Sequence, residues 1–444
     1  MRRPTALALL CSLGLACAGR QSTPTTPDSE EVRHLEELRI TARPTDDGGY
    51  AFDAYDAETL FQSGLTEMRA GRCEPAVQRY DRVADEFPSS RFVSPSLYNA
   101  GLCLKETGVG VGPMSAPRDT EALAQAASRF ERLLREVPDS EDAAHARFQL
   151  AQIYLSLERH EDGIEITDAL LALDGLSSEE RVEAMARKAQ HLLGAGRRED
   201  AAALARSTLS YARTRRGDEE VVGIYFTSAA NYVLAETHRL QAAAVEIPEG
   251  GVAVQRPALE RRAQHILDAQ RAYFDTIRKT HAGWAAAAGY RIGEMYDDFW
   301  EAITSAPVPP PQNPLEDELL ETYHEEYRTY LARLVKPLIR HSIRYWELTL
   351  LMTERTGVES EWTERIRAEL ERARARLLEQ PDGPEGLAAA QERARTGRLP
   401  GSDDDEDPAG EAGDTAQPGD NTAEILEGTD AEELGSSASS APPR

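Results

Sequence analysis

The chain has 444 residues, a formal net charge of −27, and a composition that is 41% hydrophobic but only 6% aromatic. That length allows two or three domains and an ample core. The acidity excludes a basic, phosphate-binding surface of the kind nucleic acid requires. No stretch after Ala16 is apolar enough to cross a membrane.

The first element is N-terminal. Met1-Arg2-Arg3 is followed by an apolar run from Pro4 to Ala16 and then Cys17. A charged start, an apolar stretch of about a dozen residues and a small residue before a cut form an export signal, too short to span a bilayer. The arrangement resembles a bacterial lipoprotein signal, in which the cysteine after the cut is lipidated. Gly14 stands where such signals usually carry leucine. The other reading is an ordinary secretory signal cut near Ala18, and both export the chain. Residues 1–16 are thus read as the signal, and 17–49 as the lipidated cysteine and a polar, flexible tether. Within the tether, Val32 to Ile40 is expected to form a short helix.

From Ala54 to about Arg215 apolar residues recur at spacings of three and four, with no alternating run. The expectation is all-α, in short paired helices. A repeat underlies them. Gly64 in a first helix is followed by Ala76, Tyr80, Val83 and Pro88. Gly101 is followed by Ala126, Phe130, Leu134 and Pro138. A third unit has Ala151, Tyr154, Gly163 and Leu170; a fourth has Ala189, Leu192, Ala201 and Ala205. Glu-Phe-Pro (86–88) and Glu-Val-Pro (136–138) end two units in register. The pattern resembles the tetratricopeptide repeat, a 34-residue helix–turn–helix unit. About 13 extra residues, roughly Gly108 to Thr120, separate the helices of the second unit. Ser94 before Pro95, Ser177 with Glu180, and the glycines 71, 108 and 196 are the expected helix caps and stops.

The repeats blur after Arg215. Single helices are expected at Glu219–Gln241 and Pro257–Lys279, and a repeat-like first helix at Trp284–Ile303 around Gly293 and Tyr296. Ala306 to Pro314 is a proline-rich connection. Long helices are expected at Leu315–Leu334 and Pro337–Arg355, closed by Gly357. A capping helix from Ser360 to about Leu378 turns Trp362 and Ile366 inward. The fold expected is a TPR-like α-solenoid over 50–215, a helical extension over 216–395, and an acidic, disordered tail over 396–444.

No catalytic, cofactor-binding or metal-ligating constellation stands out. His160-Glu161-Asp162 reads as a solvated inter-helix corner. Cys73 and Cys103 are read either as a disulfide or as two small buried residues. The repeat resemblance implies that the fifth position of each first helix points into a groove. Phe61, Tyr98 and Phe148 occupy that position, with Asn99, Lys105 and Gln152 nearby. One reading is a peptide groove; the other is rings packed between helices. The lipoprotein and repeat resemblances together imply a non-catalytic scaffold or adaptor of a Gram-negative envelope. Similar layouts occur in lipoproteins of outer-membrane-protein assembly, the Tol–Pal system, type IV pilotins and gliding motility. They also imply outer-membrane anchoring, because Ala18 rather than aspartate follows the cysteine. The partners implied are envelope proteins. The alternative is a peptidoglycan-binding or cell-wall-processing protein.

Overall fold

Two antiparallel strands and a chain of paired helices make up the computed structural model, which describes residues 37–45, 49–311, 313–358 and 360–379. The signal, Cys17 and the acidic tail lie outside the described residues. Strand β1 (Leu38–Pro44) pairs with β2 (Tyr50–Asp56), Leu38 opposite Asp56 and Pro44 opposite Tyr50. The expected helix at Val32–Ile40 is therefore corrected where it is described, since Leu38–Ile40 is strand. The helical region likewise begins at Ala57 rather than Ala54. The cause is period-two alternation in both segments. Leu38 and Ile40 share one face of the ribbon with Phe52 and Tyr50, all four well exposed. The other face is pinned to the first repeat: Arg39 donates to the Glu86 carbonyl (2.8 Å) and Tyr55 to the Glu86 carboxylate (2.7 Å).

The helices follow as α1 (Ala57–Arg69), α2 (Cys73–Glu86), α3 (Val93–Gly108), α4 (Thr120–Glu136), α5 (Asp142–Ser156), α6 (His160–Leu171), α7 (Ser178–Gly194) and α8 (Arg198–Thr214). These are the four expected helix pairs. Gly64 and Gly101 lie where a Cβ would stand 2.6 Å from the Tyr80 and Phe130 rings. Glycine there lets the two helices of a unit cross closely over an aromatic ring. Phe87 and Val137, each before a proline, leave the helical conformation at φ −132° and −135° and end α2 and α4 alike. The Ser177–Glu180 capping box is complete, and Gly71 and Gly196 turn left-handed at φ +72° and +78°. Helix α3 stops at Gly108 as expected, without a left-handed turn. One expected cap differs: α3 starts at Val93, which frees the Ser94 hydroxyl to donate to Asp142 of the next unit (2.8 Å).

The pairing continues through α9 (Ile224–Ala243) with α10 (Val252–Arg278), and α11 (Ala282–Thr304) with α13 (Lys336–Thr356). At the second of these crossings Gly293 faces Trp346, a Cβ at Gly293 falling 2.3 Å from the indole nitrogen. The glycine-on-aromatic device thus returns more than 200 residues after its first use. Helix α10 starts a turn before Pro257. Between α11 and α13 stands α12 (Asp317–Leu334), which buries none of its residues. Helix α14 (Glu361–Glu379) packs on α13 and α11 and closes the stack, with Trp362 and Ile366 buried as its inner side.

First helices of successive units touch: α3 with α5, α5 with α7, α7 with α9, α9 with α11, and α11 with α14. The second helices stand further apart and are spanned by long side chains, as where Arg129 and Arg132 of α4 reach Asp81 and Asp85 of α2. Closer spacing on one side is what curves a solenoid, so the first helices form its concave layer. No described helix is long and apolar enough to cross a membrane.

Candidate functional site

Three residues of the expected groove turn out to be packing. The Phe61 ring meets Tyr80 of its own unit and Phe92 at the start of the next, with centroids 5.9 and 5.2 Å away. Tyr98 meets Phe130 of its own unit and His145 of the next, at 5.6 and 6.4 Å. Phe148 is buried against Leu170 and Ala184. The Asn99 side chain lies by the hydroxyl of the fully buried Tyr80, which donates to the Met68 sulfur (3.7 Å). The aromatic row fills the wedges between units, because a large ring at that position reaches both its own second helix and the following pair.

Lys105 and Gln152 behave differently. The Lys105 ammonium, on α3, donates to Gln149 (2.5 Å) and Gln152 (2.6 Å) on α5. Its hydrogen-bond acceptors are neutral amides, while the carboxylates of Glu183 and Glu106 act on it only through space. Burial, and then the like charge of Arg187, lower its pKa to about 8. Arg187 of α7 donates to Glu183 one turn back (2.8 Å) and lies 5.1 Å from the Phe226 ring. Tyr225, more than a third exposed, stands beside it against Trp284 and His281. Residues from α3, α5, α7 and α9 therefore line one concave strip: a poorly compensated cation, amides, an ion pair and an aromatic edge. Lys105, Gln149 and Arg187 are each unremarkable in sequence; Gln149, Arg187 and Tyr225 lay outside the sequence expectation. Only the stacking of the units makes them neighbours.

Cys73 and Cys103 are joined, with Cα atoms 5.6 Å apart, tying the start of α2 to α3. The expected solvated corner is corrected at His160. Its ring packs where a Cβ on Gly194 would touch it, and lies 5.9 Å from His191. His191 is fully buried, fills the notch left by Gly163, and bonds the Ala151 carbonyl through Nε2 (2.8 Å). Burial first, then the neighbouring cations, lower its pKa to about 4. Elsewhere His238, His265 and Asp268 offer ligand atoms within 4.8 Å of one another. The Asp268 carboxylate accepts from Arg271 (3.0 Å) and Gln264 (3.2 Å), both through Oδ1.

Residues 58–90, the α1–α2 unit, match the tetratricopeptide repeat family. No curated protein matches the chain in sequence. Among solved structures, the chain is similar to MamA (residues 41 to the end) from Desulfovibrio magneticus RS-1. The identity is 12% and the TM-score 0.29, over 49% of this chain and 94% of that one. It is also similar to a human IFIT1 dimer with m7Gppp-AAAA. There the identity is 12% and the TM-score 0.32, over 73% of this chain and 64% of that one.

Proposed function

We propose that this chain is a non-catalytic docking scaffold of a Gram-negative envelope, held by lipid on Cys17 at the periplasmic face of the outer membrane. The concave strip carries the reading. It presents the mixture of cation, amide and aromatic edge that recognises an extended protein segment, on helices fixed by the repeat packing. The repeat match over 58–90 supports it. The N-terminal pattern supplies the address: export signal, small residue, cysteine.

The test is Lys105→Glu in the full-length protein, followed by cross-linking in intact envelopes. The half-buried ammonium becomes a carboxylate facing two amide oxygens, and Gln149→Ala with Gln152→Ala serves as the neutral control. Docking on this strip requires that cross-linked proteins disappear while the melting temperature moves by only a few degrees. An unchanged set of partners would overturn the site. Cell-wall fragments captured in place of proteins would favour the peptidoglycan alternative.

A further inference from the structure

The insertion inside the second unit is a compact loop with closed ends. The Gly108 carbonyl accepts from the backbone N–H of Arg118 (2.8 Å) and Asp119 (3.3 Å), while Asp119 caps α4 through Glu121 and Ala122. A Cβ at Gly110 would fall 2.1 Å from the Ala116 carbonyl, so the loop folds tightly on itself.

Its tip crosses the concave side. The Trp362 indole of α14 donates to the Pro113 carbonyl (2.8 Å), and the Ala116 N–H donates to Glu361 (2.7 Å). Gln190 of α7 donates to the Met114 sulfur (3.3 Å). Pro113 leans on Gly283 of α11, where a Cβ would lie 2.9 Å from its ring. Every helix met here, α7, α11 and α14, belongs to the inner layer. From Gly108 to Pro117 the loop has no charged side chain. Met114 and Gly112 are held at φ +58° and +98°, and the first is a conformation a side chain resists unless contacts impose it. Ser360, whose Cβ would contact a side chain at Gly112, has a buried hydroxyl with no hydrogen-bond partner among the described residues.

We propose that the strip between α7, α11 and α14 is a binding site for a turn-forming, uncharged, glycine- and proline-containing segment of a partner. The chain's own 109–117 loop occupies it as a tethered competitor. The inference rests on the docking reading and carries the concave surface onward from α7 to the end of the stack, naming what this part takes and what guards it. The recognition groups are an indole N–H, a carboxylate and an amide, which read backbone carbonyls and N–H groups rather than charge. A tethered segment acts at a millimolar effective concentration, so the closed form masks the site from weak ligands.

The probe is a fluorescent peptide of residues 108–119. In the full chain, residues 110–117 are replaced by two glycines, which the closed loop base permits without parting α3 from α4. The peptide should bind this shortened protein, and bind the intact protein at least about tenfold more weakly. Adding Trp362→Phe to the shortened chain should weaken binding roughly fivefold, the loss of one hydrogen bond. Equal binding to both proteins, or no binding to a shortened protein with normal helical content, would overturn the proposal. If the shortened protein does not fold, the intact chain carrying Gly110→Val, a side chain the folded loop has no room for, replaces it and leaves Trp362, Glu361 and Gln190 in place. Loosening of the loop should then raise peptide binding and elastase cleavage within 109–117, and no change in either counts against the proposal. The assay needs no cellular partner, so its failure leaves the Lys105→Glu cross-linking result to decide the docking reading alone.

Discussion

A ring at the fifth position of a first helix meets two walls, its own second helix and the next unit. Phe148 shows the consequence most fully, at 8% exposure. Phe148→Ala should therefore lower unfolding free energy by about 3–5 kcal/mol in urea titrations, the range for a buried phenylalanine. Partner capture at temperatures where the variant stays folded should be unchanged. His191 gives a second residue-scale expectation. In the unfolded chain its imidazole takes a proton as pH falls through 6.5; in the folded chain it does so only near 4. Between those values the unfolded state binds more protons, so stability falls as pH falls. The slope contributed is at most about 1.4 kcal/mol per pH unit. Denaturation midpoints at pH 7 and 4.5 should thus converge in His191→Gln compared with the parent. The packing of Phe148 is one of two readings the sequence leaves open; the role of His191 is not legible there. A scattered histidine carries no periodic signal, and its burial depends on Gly163 lying across from it on another helix.

The element scale was the most readable. Glycine opposite an aromatic ring, a residue pushed out of the helix before proline, and a serine–glutamate box are local signals with local causes. They located α1 to α8 and, through Gly293, the first helix α11; its crossing with α13 comes from the structure. The hairpin has a sequence signal of its own: Leu38 and Ile40 alternate with Arg39 and Thr41, and Tyr50 and Phe52 with Ala51 and Asp53, around an Asp-Asp-Gly-Gly turn signature. Both strands border a polar, proline-containing stretch, and a lone two-stranded ribbon gains stability only by resting on something. Here the end of α2 supplies that support. The Cys73–Cys103 bond acts at this scale as well, because it crosses between units and closes a separation of 30 residues. In the chain-entropy model such a closure is worth about 3–4 kcal/mol. Cys73→Ser, or mild reductant on the parent, should lower the melting temperature clearly while leaving the helical circular dichroism of the folded form unchanged.

For the whole molecule the address and the working surface are separate matters. Cys17→Ala should abolish labelling by a fatty-acid analogue and move the protein from the membrane to the soluble envelope fraction; retention in the membrane would remove the anchor from the proposal. The amino-acid order alone determined the all-α class, the repeat and most helix limits, because these follow from spacing and from residues acting within about one turn. It also held the pattern from which the export signal is read. The tertiary structure decided which repeat positions are core, which line the concave strip, and where the insertion packs. Trp362 and Pro113 meet across 249 residues, and Lys105 finds its amides on another unit. Contacts of that kind depend on the summed curvature of every intervening helix pair, which no local pattern encodes.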